Sequence, residues 1–87
     1  MIQVELNNLG KINTNEIIIK TDKNTLLLFF SYSTIVGFSE NGRRTISKNI
    51  WSKTTGKLLN DLMPDHKERT EHNEFLTLLN DALVRLS

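Results

Sequence analysis

Residues Thr25 to Ser39 read TLLLFFSYSTIVGFS, and the reading of this stretch decides the fold. Leu26 to Phe30 are apolar at every position, so a strand there is apolar on both faces, the mark of a central strand. The small residues Ser31 and Ser33 are where that strand is expected to bend. Next comes Ser39-Glu-Asn-Gly-Arg43, whose Asn41-Gly42 is the strongest short hairpin signal a sequence offers, because both residues tolerate the positive φ of a two-residue primed turn. The return strand is Arg43 to Ile50. Upstream, Glu16 to Lys20 is a β-branched run bounded by Asn13, Asn15 and Asp22, and Ile2 to Leu6 alternates apolar with polar residues. With Thr21-Asp-Lys-Asn24 as a second tight turn, the first half predicts an antiparallel meander of about three or four strands.

Beyond residue 50 the periodicity changes. Ser52 is placed as an N-cap, its hydroxyl accepting from a first-turn N–H, and Leu58, Leu59, Leu62 and Met63 recur at helical spacing. Pro64 stops that helix. Asp65 and Glu68 form an acidic variant of the capping box ahead of a second amphipathic helix of about 20 residues. Its stripe is Phe75, Leu78, Leu79, Ala82, Leu83 and Leu86, and its outer face pairs Lys67 with Glu71. Strands first and helices after, with no βαβ alternation, predict a single α+β domain over residues 1–87. The expected architecture is two-layer, with the long helix covering one face of the sheet.

A chain of 87 residues supports one small core, and without cysteine it can hold neither a disulfide nor a thiolate metal site, so packing alone must stabilise it. No basic segment followed by a long apolar run opens the chain, and Leu26 to Phe30 is far shorter than a spanning helix, so a soluble cytoplasmic protein with no membrane partner is expected. Eleven basic and ten acidic side chains give a net charge of +1, low for a dedicated nucleic-acid binder. The charges are unevenly placed: residues 1–60 hold eight bases and four acids, a local +4, while residues 61–87 hold three bases and six acids, a local −3. Either two solvated faces differ by chance, or a basic hairpin surface stands opposite an acidic helix surface.

Thr54-Thr-Gly-Lys57 has the letters of a phosphate loop without its spacing, since Trp51 and Leu58 occupy the positions that need glycine and a hydroxyl. What remains is a helix N-terminus with free N–H groups beside Lys53, Thr54, Thr55 and Lys57, a general kind of anion site. N-capping alone also accounts for Ser52. His66 and His72 are six residues apart and fall on different sides of a helix, so no metal and no cofactor are expected. Neither has a neighbouring motif that would activate a serine, and no enzymatic activity is expected. Arg43, Arg44 and Lys48 share a ribbon near Tyr32, Phe38 and Trp51. Cations interleaved with aromatics on a sheet are the ingredients of single-strand binding, with core burial of Phe38 and Trp51 as the alternative.

Two stretches, Ser31 to Phe38 and Ser52 to Asn60, together resemble a group of small proteins of phages and other mobile elements, in which an SYxTxVA-like strand is followed by a hairpin and an SxTTxxHxN segment. Matching positions are Ser31, Tyr32, Thr34, Val36, Ser52, Thr54, Thr55 and Asn60, while Leu58 stands where the pattern has histidine. The resemblance implies origin more than mechanism. Physically, Tyr32 on the central strand and the Ser-x-Thr-Thr turn are expected to meet at the β-to-α corner, their hydroxyls capping backbone groups.

These readings converge on a non-enzymatic protein that acts stoichiometrically on a host protein in the host cytoplasm, such as an inhibitor of a defence or nucleic-acid-processing system. The alternative is single-stranded nucleic-acid binding through the basic hairpin face. A homo-oligomer built from helix faces or sheet edges is a third reading. The candidate binding residues are Arg43, Arg44, Lys48, Lys53, Thr54, Thr55 and Lys57.

Overall fold

A computed structural model describes residues 2–86. Strands β1 (Gln3–Asn8), β2 (Thr14–Lys20), β3 (Thr25–Ser31), β4 (Thr34–Glu40) and β5 (Arg43–Ile46) are hydrogen-bonded in chain order as one antiparallel meander. Helix α1 (Lys53–Leu62), a 3-10 turn (His66–Glu68) and helix α2 (His72–Val84) follow. The fold is α+β, with five strands where the sequence predicts three or four.

The extra strand comes from the stretch TLLLFFSYSTIVGFS, which reverses where a bend was expected. Ser31 pairs with Thr34, leaving Tyr32 and Ser33 as a two-residue turn with Tyr32 at φ 57°. Its N–H donates to the Asn13 carbonyl at 2.7 Å, which helps hold the turn. A tyrosine in the left-handed region costs on the order of 1–3 kcal/mol, and tyrosine is no turn signal. Asn41-Gly42, at φ of 51° and 89°, is the turn that composition announces. Thr21 to Asn24 also turns as expected, the Thr21 N–H donating to the Asn24 carbonyl at 2.8 Å.

Because side chains alternate along a strand, β3 feeds two cores. Leu26 and Leu28 join Phe38 of β4 and Phe75, Leu79 and Ala82 of α2 on one face. Phe29 joins Val36, Ile46 and the α1 residues Leu58, Leu59 and Leu62 on the other. The helices thus roof opposite faces, and the domain has three layers where two were expected. A bulge lets β4 serve both sides: its register with β3 shifts between Phe29 and Phe30, so that positions 36 and 37 both turn toward α1. A Cβ on Gly37 would lie 2.5 Å from Ile46 Cδ1, so glycine there lets β5 close on β4.

The chain passes from one roof to the other around the β5 edge. β5 ends at Ile46, short of the expected Ile50, and Ser47 makes a parallel bridge to Thr70. The Thr70 N–H donates to the Ile46 carbonyl and the Lys48 N–H to the Thr70 carbonyl, both at 2.8 Å. This crossing uses residues that the sequence assigns to the second helix, so α2 has only 13 residues. Asp65 caps the 3-10 turn, its carboxylate accepting from the Lys67 N–H at 3.0 Å, and Glu71 pairs with Lys48 in place of Lys67. Leu78 and Leu83, expected in the buried stripe, are exposed.

Candidate functional site

Ser52 caps α1 as expected: its backbone is extended and its Oγ accepts from the Thr55 N–H at 3.3 Å. The Thr55 hydroxyl is buried 3.0 Å from the Ser31 hydroxyl, so the two stretches that carry the resemblance do meet, through Ser31. Tyr32 lies on the exposed turn, away from the strand position expected for it. Leu58, where the resembling pattern has histidine, is buried in the α1-side core and offers no polar group.

Around the start of α1 opens a cleft of about 620 Å³. Lys53, Lys57 and Asn60 reach it from α1, Lys48 from the segment leaving β5, and His66, Lys67 and Arg69 from the crossing segment. Asn49 shapes its border: Oδ1 accepts from the Trp51 N–H and Nδ2 donates to the Ser52 carbonyl, each at 2.9 Å. A Cβ on Gly56 would come within 3.0 Å of that amide, so the glycine of Thr-Thr-Gly-Lys makes room for Asn49.

Arg69 is the unusual member. It is only 7% exposed, and its donors go to neutral oxygens, Nε to the Met63 carbonyl at 3.1 Å and Nη2 to Asn60 Oδ1 at 2.6 Å. His66 Nε2 lies 3.1 Å from the same Asn60 oxygen. Among the described residues no carboxylate pairs with Arg69, Lys53, Lys57 or Lys67, and of the basic residues of the cleft only Lys48 has such a partner, Glu71. No Asp or Glu lines the cleft. A guanidinium withdrawn from water without an anion bears an uncompensated desolvation cost, and four lysines around it raise the local potential further.

Lys48, Lys53 and Lys57 are therefore brought together as the sequence suggests, but the other candidates are not with them. Thr54 is exposed on α1 outside the cleft, and Thr55 is used up in the corner. Arg43 and Arg44, neighbours on β5, point to opposite faces. Arg44 Nη1 donates to the Leu62 carbonyl at 2.9 Å and its guanidinium lies 5.6 Å from the Phe29 ring centre, so it closes the end of α1. Arg43 borders a hollow on the α2 side with Leu78 and Arg85. There is no single basic hairpin face. His66, Lys67 and Arg69 escape a reading of the sequence because they sit in its acidic half. Only the crossing around β5 carries them to Lys53 and Lys57.

The two histidines do not share a helix: His66 is exposed on the 3-10 turn, and His72 opens α2. His66 lies in the cleft, and His72 is half-buried, its ring 5.2 Å from Trp51 and 6.1 Å from Phe75. Ser47 Oγ is 3.1 Å from His72 Nδ1, but Ser47 is fully buried and has no opening to a substrate. Among the described residues no three metal-ligating side chains cluster, and no helix is long and apolar enough to cross a membrane. On the α2 side, Arg85 donates from Nε and Nη2 to the Glu40 carboxylate, both at 2.8 Å. Those hydrogen bonds hold the Glu40 carboxyl below the usual carboxylate range, against a smaller opposing effect of burial.

Fold and site together define a small domain in which two helices roof an antiparallel meander and the cleft beside the first is cationic. The chain belongs to a family of unknown function, DUF8033, whose model matches residues 3–77. That span contains every residue of the cleft. No curated protein and no solved structure matches the chain.

Proposed function

We propose that the protein is a non-enzymatic binding module that holds a single nucleic-acid strand in the cationic cleft, acting stoichiometrically. The observation that carries this reading is Arg69, a buried guanidinium held by neutral oxygens at the border of a cleft lined by no carboxylate. A phosphate supplies the missing countercharge there. Lys53, Lys57 and Lys67 then serve as further backbone contacts. No Phe, Tyr or Trp lines the cleft, so contact is to phosphate rather than to stacked bases, and sequence preference is weak.

Tyr32 favours a second reading. It is 59% exposed on a turn strained by its own positive φ, and exposed aromatics anchor protein interfaces, which supports a host protein as the partner.

A titration of a labelled single-stranded oligonucleotide across a series of salt concentrations separates the two. Log affinity is expected to fall linearly with log salt, and Lys53→Ala, Lys57→Ala and Lys67→Ala each to reduce the slope by about 0.7. Arg43→Ala, on the other face, leaves it unchanged. Absence of binding at low salt sinks the nucleic-acid reading and leaves the protein partner. Sensitivity to Arg43→Ala in place of the lysines would move the site to the hairpin.

A further inference from the structure

One part of the sheet is left unroofed and uncharged. Helix α2 lies over β3 and β4, fixed on one flank by Arg85 bound to Glu40 and by Leu78 beside Phe38 and Thr45. At about 100° per residue, Leu76 and Leu83 stand roughly 140–160° round the helix from Leu78, on the flank that overlooks β2 and β1. They are 47% and 39% exposed. Beneath them on the same sheet face are Ile17 and Ile19, which only partly pack against the core, and their register partners Leu6 and Val4, 70% and 63% exposed.

The charges of these elements lie elsewhere. Glu5, Glu16 and Lys20 alternate onto the opposite sheet face, and Glu74, Asp81 and Arg85 turn to the Leu78 flank of α2. What remains is an apolar step whose floor is β1 and β2 and whose wall is α2.

We infer that a second copy of this chain covers the step. The two molecules pack β1 and β2 face to face about a two-fold axis, so that the β1 edge of each lies beside α2 of the other. Sheets stack about 10 Å apart, which is also the thickness of a helix layer, so the partner's edge occupies the layer that α2 leaves open. The contact is isologous, each copy giving the same side chains. Having no charge, it sets no like charges against each other, and it offers nothing to a polyanion. Val4, Leu6, Leu76, Leu83 and Ile2 expose at most about 500 Å² on each copy, so full cover buries about 1,000 Å² together, the lower bound for a specific interface. The cationic clefts lie on the opposite faces and stay open.

Sedimentation equilibrium of the full chain over a range of concentrations tests this without any nucleic acid. The expected species has twice the 10.0 kDa chain mass. Leu6→Lys and, from the wall, Leu83→Lys each weaken association at least about tenfold, while Glu5→Lys, adjacent in β1 but on the other face, leaves it unchanged. Circular dichroism confirms that each variant is folded. A wild-type chain that keeps the single-chain mass throughout overturns the inference, as does a dimer that survives both lysine substitutions in folded protein.

Discussion

The two roofs of the sheet bury similar sets of side chains yet present different surfaces. Under α1 lie Phe29, Val36 and Ile46, under α2 lie Leu26, Leu28 and Phe38, and each helix adds three buried apolar residues. Outside, the α1 side gathers Lys48, Lys53, Lys57, Lys67 and Arg69 around a cleft, while the free flank of α2 and the face of β1 and β2 beneath it carry no charge. The difference comes from the connections rather than the cores. The segment around the β5 edge brings three cleft residues to α1, whereas α2 ends by tying Arg85 to Glu40 and leaves β1 and β2 open. Two half-cores of equal kind thus support two surfaces suited to different contacts.

The comparison breaks first if the halves are independent. Phe75→Ala removes the largest fully buried side chain of the α2 side and is expected to cost about 3–5 kcal/mol, with Leu59→Ala on the α1 side costing about 2–5 kcal/mol. Either is a large part of the roughly 5–15 kcal/mol by which such a domain is stable. Because consecutive residues of β3 enter opposite cores, neither side can melt alone. Urea transitions followed by Trp51 fluorescence and by far-ultraviolet circular dichroism should coincide in both variants. Two separate transitions would show that the cores are uncoupled.

A smaller effect separates the sides by chemistry. The hydroxyls of Ser31 and Thr55 face each other within the α1 side. Thr55→Val leaves the Ser31 hydroxyl buried without a partner and is expected to cost about 1–3 kcal/mol, whereas adding Ser31→Ala recovers part of that loss. Additive losses in a double-mutant cycle by urea unfolding would mean that the hydroxyls do not interact.

These contacts also show which features the sequence reveals. Asn41-Gly42, the Ser52 cap and the leucines of α1 are local, and each can be recognised from a few neighbouring residues whose chemistry dictates the conformation. The Tyr32-Ser33 reversal is stabilised by its surroundings against the preference of tyrosine, so composition conceals it. Full apolarity of Leu26 to Phe30 already requires cover on both faces, but helix order alone does not say that α1 and α2 take opposite ones. Of the site, the lysines near Ser52 are legible because they are close in sequence. Arg69 is not, since it reaches Asn60 only through the crossing that Pro64, the Asp65 cap and the Ser47 to Thr70 bridge create together.

The smallest expected effect belongs to the α2 side and appears only as a function of pH. Arg85 holds the Glu40 carboxyl below the usual carboxylate range by hydrogen bonding. A group whose folded pKa is depressed stabilises the fold above its unfolded value, which for glutamate is about 4.3, and that stabilisation disappears as pH falls through the lower folded value. Glu40→Gln should therefore reduce stability slightly near neutral pH, with the difference from wild type shrinking in acid below that value. Arg85 is half exposed and Glu40 only partly buried, so added salt should shrink the difference as well. Thermal unfolding at neutral and acidic pH, with and without salt, reads both dependences. A difference that persists in strong acid would mean that Glu40 contributes by packing against its neighbours, and the charge contrast between the two sides would then rest on the cleft alone.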